Sequence, residues 1–190
     1  MMKYAMIFNT QKCIGCQACT IACRSENSVP EGLYRLQVKI KGPKGIFPNL
    51  VFDLKRHSCQ MCENAPCVAC CPTKASFIDE NGIVDIDANK CVGCLYCIAA
   101  CPYNARFLDS KSKIPNKCNF CKDTHLKFYG EPACVRVCPS DALIFGDLEN
   151  INDPLYSVLS KKNYIRYKEH LKTKPKLLII AASKGEINYE

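Results

Sequence analysis

Tryptophan is absent from the 190 residues, and histidine occurs only three times. No apolar run approaches the ~20 residues that a membrane-crossing helix needs. The longest purely aliphatic stretch runs from Leu177 to Ala182. The opening Met1-Met2-Lys3-Tyr4-Ala5-Met6-Ile7-Phe8 lacks the long apolar core expected of a secretory leader. There is no phosphate loop, no dinucleotide fingerprint and no acid–base constellation. These absences argue against a membrane-spanning chain and against an enzyme active in its own right. Nor does the net charge of +8 point to nucleic acid. The basic residues are scattered, with one loose cluster at Lys161, Lys162, Arg166, Lys168, Lys172, Lys174 and Lys176.

Cysteine, by contrast, occurs 17 times, a level that marks a special scaffold in a short chain. The 48% hydrophobic fraction includes these cysteines, so the aliphatic and aromatic share is thin. Ordinary core burial is therefore not the whole basis of the fold. Disulfides need an oxidising compartment and normally an exported chain. An odd cysteine count and a first cysteine as early as Cys13 favour reduced thiolates on metal.

The cysteines fall into four groups. The first is Cys13, Cys16, Cys19 and Cys23; the second Cys59, Cys62, Cys67 and Cys71, with Cys70 as an extra. The third is Cys91, Cys94, Cys97 and Cys101; the fourth Cys118, Cys121, Cys134 and Cys138. This is an internal repeat. Groups two, three and four end in Cys-Pro-x-x-Ala, each followed by a short apolar run: Phe77-Ile78, Phe107-Leu108 and Leu143-Ile144-Phe145. Asp79-Glu80-Asn81-Gly82 reads as a turn and Ile83-Val84-Asp85-Ile86 as a short strand. Residues 50–110 thus form one ferredoxin-like unit. Between groups one and two, Arg35 to Lys41 alternates with period two and predicts a strand, with Leu50 to Leu54 as its returning partner. Asp153-Pro154 predicts a helix start. Beyond it the segment reads as too polar to bury much, and is expected to lie across a surface.

Groups one and three share the spacing Cys-x2-Cys-x2-Cys-x3-Cys, and Pro102 completes the bacterial ferredoxin signature for [4Fe–4S] clusters in group three. Three cysteines on a tight loop reach three irons of one cubane. The fourth starts the following helix and points at the other cluster, so clusters come in close pairs. Zinc is the competing reading, but it uses two Cys-x2-Cys pairs with a longer span between them. Group four, taken alone, fits that zinc pattern; its place in the repeat favours a cluster. Cys70 reads as a small buried hydrophobe rather than a ligand or redox switch. His57, His125 and His170 stand singly and read as non-ligands. Lys12, Lys90 and Lys117, which precede groups one, three and four, read either as solvated lysines or as counter-charges to the clusters. A cubane core of charge 2+ on four thiolates carries about 2−, so four of them would offset the +8.

Two stretches, Cys13 to Asn27 (CIGCQACTIACRSEN) and Cys91 to Arg106 (CVGCLYCIAACPYNAR), carry a family resemblance. Lys117 to Asp123, Glu131 to Cys134 and the tail Lys172 to Leu177 extend it over almost the whole chain. The sequence resembles the four-cluster iron–sulfur (B) subunits of the DMSO reductase superfamily, most of all those of the polysulfide/thiosulfate reductase group. Arg24 stands where the other groups have proline, which is usual in that family.

The resemblance implies an α+β fold of tandem bacterial-type ferredoxin-like modules, with a short β-strand insertion and an extended C-terminal tail. One module would span 1–30 and 110–148, the other 50–110, with the insertion at 31–49 and the C-terminal extension at 149–190. Four [4Fe–4S] clusters are implied: Cys13, Cys16, Cys19 with Cys138; Cys59, Cys62, Cys67 with Cys101; Cys91, Cys94, Cys97 with Cys71; and Cys118, Cys121, Cys134 with Cys23. Some relatives replace a cysteine of the third group and hold a three-iron cluster; here all are present. The implied role is a non-catalytic electron-transfer subunit of an oxidoreductase complex. It would relay electrons between a quinol-oxidising integral membrane anchor and a molybdenum bis-pterin catalytic subunit that reduces polysulfide or thiosulfate. Such subunits sit on the periplasmic side of the membrane and are exported folded with a catalytic partner that bears the leader. The alternative is a cytoplasmic polyferredoxin serving a soluble tungsten or molybdenum aldehyde or formate oxidoreductase.

Overall fold

The computed structural model describes residues 2–181. The chain opens with strand β1 (Tyr4–Asn9) and helix α1 (Ala18–Glu26), followed by a hairpin of β2 (Leu36–Ile46) and β3 (Asn49–Ser58). Short elements then alternate: α2 (Pro66–Ala69), β4 (Ser76–Ile78), β5 (Val84–Ile86), α3 (Tyr96–Ala99), β6 (Phe107–Leu108) and β7 (Pro115–Asn116). Last come α4 (His125–Tyr129), α5 (Ala133–Arg136), β8 (Leu143–Asp147), α6 (Pro154–Lys161), β9 (Ile165–Arg166) and β10 (Leu177–Ile180). The architecture is α+β, with very short helices and strands around the cysteine loops.

Alternation along β1 sends its side chains to opposite faces. Met6 and Phe8 join the core that contains the cysteines, together with Phe120, Leu143 and Leu177. Ala5 and Ile7 face the other way, where Leu155 of α6, Leu178 and Ile180 form a second, small core. Burying a side chain like Leu155 contributes about 1.5–3 kcal/mol, and this leucine is fully buried. Asp153 starts α6 as expected: its carboxylate accepts from Leu155 N at 2.8 Å, with Pro154 in the first turn.

The C-terminal segment departs from its polar reading. Part of it does cross the surface of the second module: Glu63 N donates to Lys174 O, Asn64 N to Thr173 O, and Lys176 N to Gln60 O. Leu177–Ile180, however, are all buried. They form β10, parallel to β1 and interior to a sheet of order β8-β1-β10-β9. Four consecutive apolar residues, too few to stand out by periodicity, suit a strand covered on both faces. Residues 182–190 of the extension lie outside the described residues.

The strand insertion is also longer than 31–49. Leu36 pairs with Ser58 at its base, so the hairpin continues to the threshold of Cys59. Leu36, Val38, Arg56 and Ser58 are buried there, while Ile46 and Phe47 at the tip are 85% and 83% exposed. Among the described residues no helix is long and apolar enough to cross a membrane.

Candidate metal centres

Backbone conformation repeats wherever cysteine spacing repeats. The residue before the second cysteine of each group is left-handed: Gly15 (φ 69), Met61 (φ 49), Gly93 (φ 69) and Phe120 (φ 58). In groups one and three the residue after the second cysteine matches as well, Gln17 at φ 62 and Leu95 at φ 63. Holding a non-glycine residue there costs about 1–2 kcal/mol, and such strain gathers at functional sites. The gain is a loop whose thiols turn toward a common centre. Each Cys-Pro-x-x-Ala adds its own left-handed residue, Lys74, Asn104 or Asp141, and a buried alanine, Ala75, Ala105 or Ala142. This turn aims backbone N–H groups at sulfur: Ser76 N lies 3.4 Å from Cys71 Sγ and Ala142 N 3.3 Å from Cys138 Sγ. Without a proline after Cys23, α1 runs on to Glu26.

Third and fourth cysteines are four residues apart: each third cysteine is the second residue of a helix, and the fourth lies two residues beyond α2, α3 and α5, or, for Cys23, inside α1. α1 packs against α5, and α2 against α3. The packing brings the first cysteine group to the fourth and the second to the third. Cys13, Cys16, Cys19 and Cys138 lie within electrostatic reach of one another, as do Cys23, Cys118, Cys121 and Cys134. Cys62 faces Cys59, Cys67 and Cys101. Cys71, Cys91, Cys94 and Cys97 line one cavity. No disulfide joins any of the 17 cysteines.

These four sets adjoin in a definite order. Cys134 is in reach of Cys19, joining the first set to the second. Lys117, next in sequence to Cys118, has Cys59 within electrostatic reach, joining the second set to the third. Arg106 stands between Cys67 and Cys97. The two middle sets are buried, whereas Cys16 and Cys94 are exposed at the two ends, beside the exposed Ile14 and Val92.

The donor chemistry fits a cationic sulfur-bound group. Burial pushes the Cys62 and Cys134 thiols up to about 12, and Cys23 higher still, so their thiolate forms need a positive partner. Acceptors are needed as well, because Arg56 Nε and Nη2 and Arg106 Nη1 are buried without a hydrogen-bond partner. Cys23, Cys118, Cys121 and Cys134 line one cavity, and Cys71, Cys91, Cys94 and Cys97 another; four thiols around one cavity suit an iron–sulfur group.

Cys70 is half-buried rather than buried, at the C-terminal end of α2 near Cys71 and Cys97. His57 and His125 each place a ring nitrogen against a backbone carbonyl, of Tyr103 at 3.1 Å and Glu131 at 2.6 Å. The three lysines divide. Lys12 and Lys90 are exposed, Lys90 lying 3.4 Å from Asp87. Lys117 is buried and donates to the carbonyls of Val84 and Cys118.

Several residues at these centres carry no spacing signal. Asn27 donates toward Cys23 and Cys121, and Arg35 holds Asn27 and Asn119 by their side-chain oxygens. Thr173 bonds Tyr103 at 2.5 Å and the Cys62 thiol, tying the C-terminal segment to the second module. Arg106 directly follows the alanine of a Cys-Pro-x-x-Ala repeat, where the other repeats have Ser76 and Leu143. That local departure is the one sequence cue to it.

A family model described as a 4Fe-4S dicluster domain matches residues 51–148. The B subunit of polysulfide reductase from Wolinella succinogenes is 56% identical over 186 residues, covering 97% of this chain and 97% of that protein. Thiosulfate reductase electron transfer subunit PhsB of Salmonella typhi is 53% identical over 148 residues, 77% of each protein. Protein NrfC of Escherichia coli K12 is 47% identical over 188 residues, 98% of this chain and 84% of that one. With strained cysteine loops, paired cysteine groups and unmet buried donors all suited to iron–sulfur clusters, these likenesses agree on one conclusion: the chain belongs to the iron–sulfur electron-transfer B subunits of the polysulfide and thiosulfate reductase type.

Proposed function

We propose that this chain is a four-cluster electron relay. Each of the four thiol sets would hold one [4Fe–4S] group: Cys13, Cys16, Cys19 and Cys138; Cys23, Cys118, Cys121 and Cys134; Cys59, Cys62, Cys67 and Cys101; Cys71, Cys91, Cys94 and Cys97. The observation that carries this reading is the adjoining series of four thiol sets, buried in the middle and exposed at Cys16 and Cys94. Iron–sulfur groups supply one-electron redox chemistry over a wide range of potentials. The chain's own part is to hold them close together, because tunnelling falls exponentially with distance. The cysteines of the middle sets are buried, and N–H donors from Ser76, Ala142, Asn27 and Arg106 point at ligand sulfur. The exposed ends are where electrons enter and leave.

The names of the relatives support a place in a reductase complex. One partner would be a molybdenum bis-pterin catalytic subunit reducing polysulfide or thiosulfate, and the other an integral membrane anchor that oxidises quinol. The complex would sit on the periplasmic side of the cytoplasmic membrane, this subunit exported together with its catalytic partner.

Anaerobic purification tests the relay: about sixteen iron and sixteen sulfide per chain are expected. Zinc without visible absorption would sink the cluster reading. Affinity isolation from gently solubilised membranes should recover a large pterin protein and a multi-span protein. Recovery of soluble partners alone would favour a cytoplasmic polyferredoxin.

A further inference from the structure

Two guanidinium groups are buried at the junctions between paired thiol sets. Arg56 is 7% exposed and Arg106 is 5% exposed. Arg56 reaches the junction from the base of the β3 strand. It lines the cavity ringed by Cys23, Cys118, Cys121 and Cys134, and Cys19 of the neighbouring set is within its electrostatic reach. Arg106 lines the cavity of Cys71, Cys91, Cys94 and Cys97. From there its Nη2 donates to Cys67 Sγ, of the adjoining set, at 3.0 Å and to Ser76 Oγ at 2.7 Å. The two arginines therefore occupy equivalent places, one per ferredoxin-like module, although they come from unrelated points of the sequence.

Their bonding is incomplete in a consistent way. Arg56 bonds Ser58 Oγ through Nη1, while its Nε and Nη2 are buried and unpartnered. Arg106 has an unpartnered Nη1. Among the described residues the hydrogen bonds of both go to hydroxyl oxygen or thiol sulfur rather than to a carboxylate. A buried cation without a counter-charge is costly, and arginine cannot shed its proton to escape. Lys117, at the middle junction, is different: backbone carbonyls accept from it and Asp85 lies at 4.0 Å. Among the described residues no carboxylate bonds to either arginine, so the counter-charge falls to cysteine sulfur, and anionic clusters on both sides would supply it.

We propose that Arg56 and Arg106 are positioning residues that set the reduction potentials of the cluster pair each one separates, by a permanent positive charge and by N–H donation toward cluster sulfur. Adding an electron makes a cluster more negative, so a fixed cation beside it favours the reduced form and raises the potential. The guanidinium stays protonated throughout, and the electron passes on unchanged in number. Each module then has its two potentials raised together, which shifts the pair as a unit and keeps the driving force between its two clusters unchanged. This inference rests on the four-cluster reading above.

The test is a potentiometric titration of the anaerobically purified full chain, followed by electron paramagnetic resonance, with iron content measured in parallel. Arg106→Gln and Arg56→Gln should keep the iron of the parent. Each should move two of the four midpoint potentials negative by about 59 mV, a tenfold change in a one-electron equilibrium, and leave the other two in place. Arg→Lys at either position should stay near the parent values. Fully loaded Gln variants with four unchanged potentials, or with all four shifted equally, would overturn the inference. Should a Gln variant fail to load, the Lys variant decides: loading at parental potentials supports the charge role, and failure to load makes the arginine a packing element and overturns it. A parent chain without iron would sink the four-cluster reading first, which separates the two failures.

Discussion

The side-chain amide nitrogen of Asn27 lies 3.5 Å from the sulfur of Cys121. The same nitrogen is 3.8 Å from Cys23 Sγ, and the amide oxygen accepts from Arg35 Nη1 at 2.6 Å. One asparagine thus joins the first and fourth cysteine groups and is itself held by the base of the hairpin. Asn27→Leu removes the donor and one of the acceptors of Arg35, which keeps Asn116 and Asn119. Losing a hydrogen bond of this kind costs about 0.5–1.5 kcal/mol. The expected outcome is a lower melting temperature and faster iron release to a chelator, read as absorbance lost over time.

Cys70 and Cys71 are neighbours with different surroundings. Ser76 N and Thr73 Oγ1 point at Cys71 Sγ, and Cys71 lines the cavity with Cys91, Cys94 and Cys97. Cys70 caps α2 with its backbone N–H on Pro66 O. Cys70→Ala should leave the iron content unchanged. Cys71→Ala should lower it by about four per chain, one [4Fe–4S] group. Equal iron loss in both variants would contradict the assignment.

β10 is expected to be structural rather than decorative. Leu178 is 1% exposed, packed with Ile7 and Leu155. Leu178→Ala should cost about 2–5 kcal/mol. Anaerobic urea unfolding of the full chain would show it as a lower midpoint. A change inside error would mean that the terminal sheet does not hold the modules together.

Gly146 has a requirement that no turn explains. A Cβ there would stand 2.0 Å from Asp153 Oδ1. That carboxylate caps α6 through Leu155 N and also accepts from Asp147 N at 3.0 Å. Gly146→Ala should displace the cap and cost about 1 kcal/mol or more. Gly146→Ala combined with Asp153→Ala should then destabilise little beyond Asp153→Ala alone, because the clash partner is gone. Thermal melts of the three variants check this.

Much of the fold could be read from local pattern. The apolar runs after each Cys-Pro-x-x-Ala became β4, β6 and β8, and Asp153-Pro154 became the start of α6. Both signals are local: two or three residues decide a turn or a cap. The β10 strand was not legible, because Leu177–Ile180 open a short aliphatic run behind a lysine-rich segment and become buried only when β1 and β9 flank them. The full length of the hairpin is hidden for a related reason. Its exposed tip has no buried face to enforce alternation, so period two fades after Lys41.

By itself the sequence determined the class of chemistry: groups of closely spaced cysteines on tight loops, repeated four times. Short-range geometry suffices for that, since three residues of spacing already confine the thiols of a loop to one centre. Only the tertiary structure decided where Cys16 and Cys94 emerge and that Arg56 and Arg106 lie buried beside the thiol sets. Those relations join residues far apart in the chain. They arise from the packing of α1 on α5 and α2 on α3 and from the seating of the hairpin base, and no local spacing encodes them.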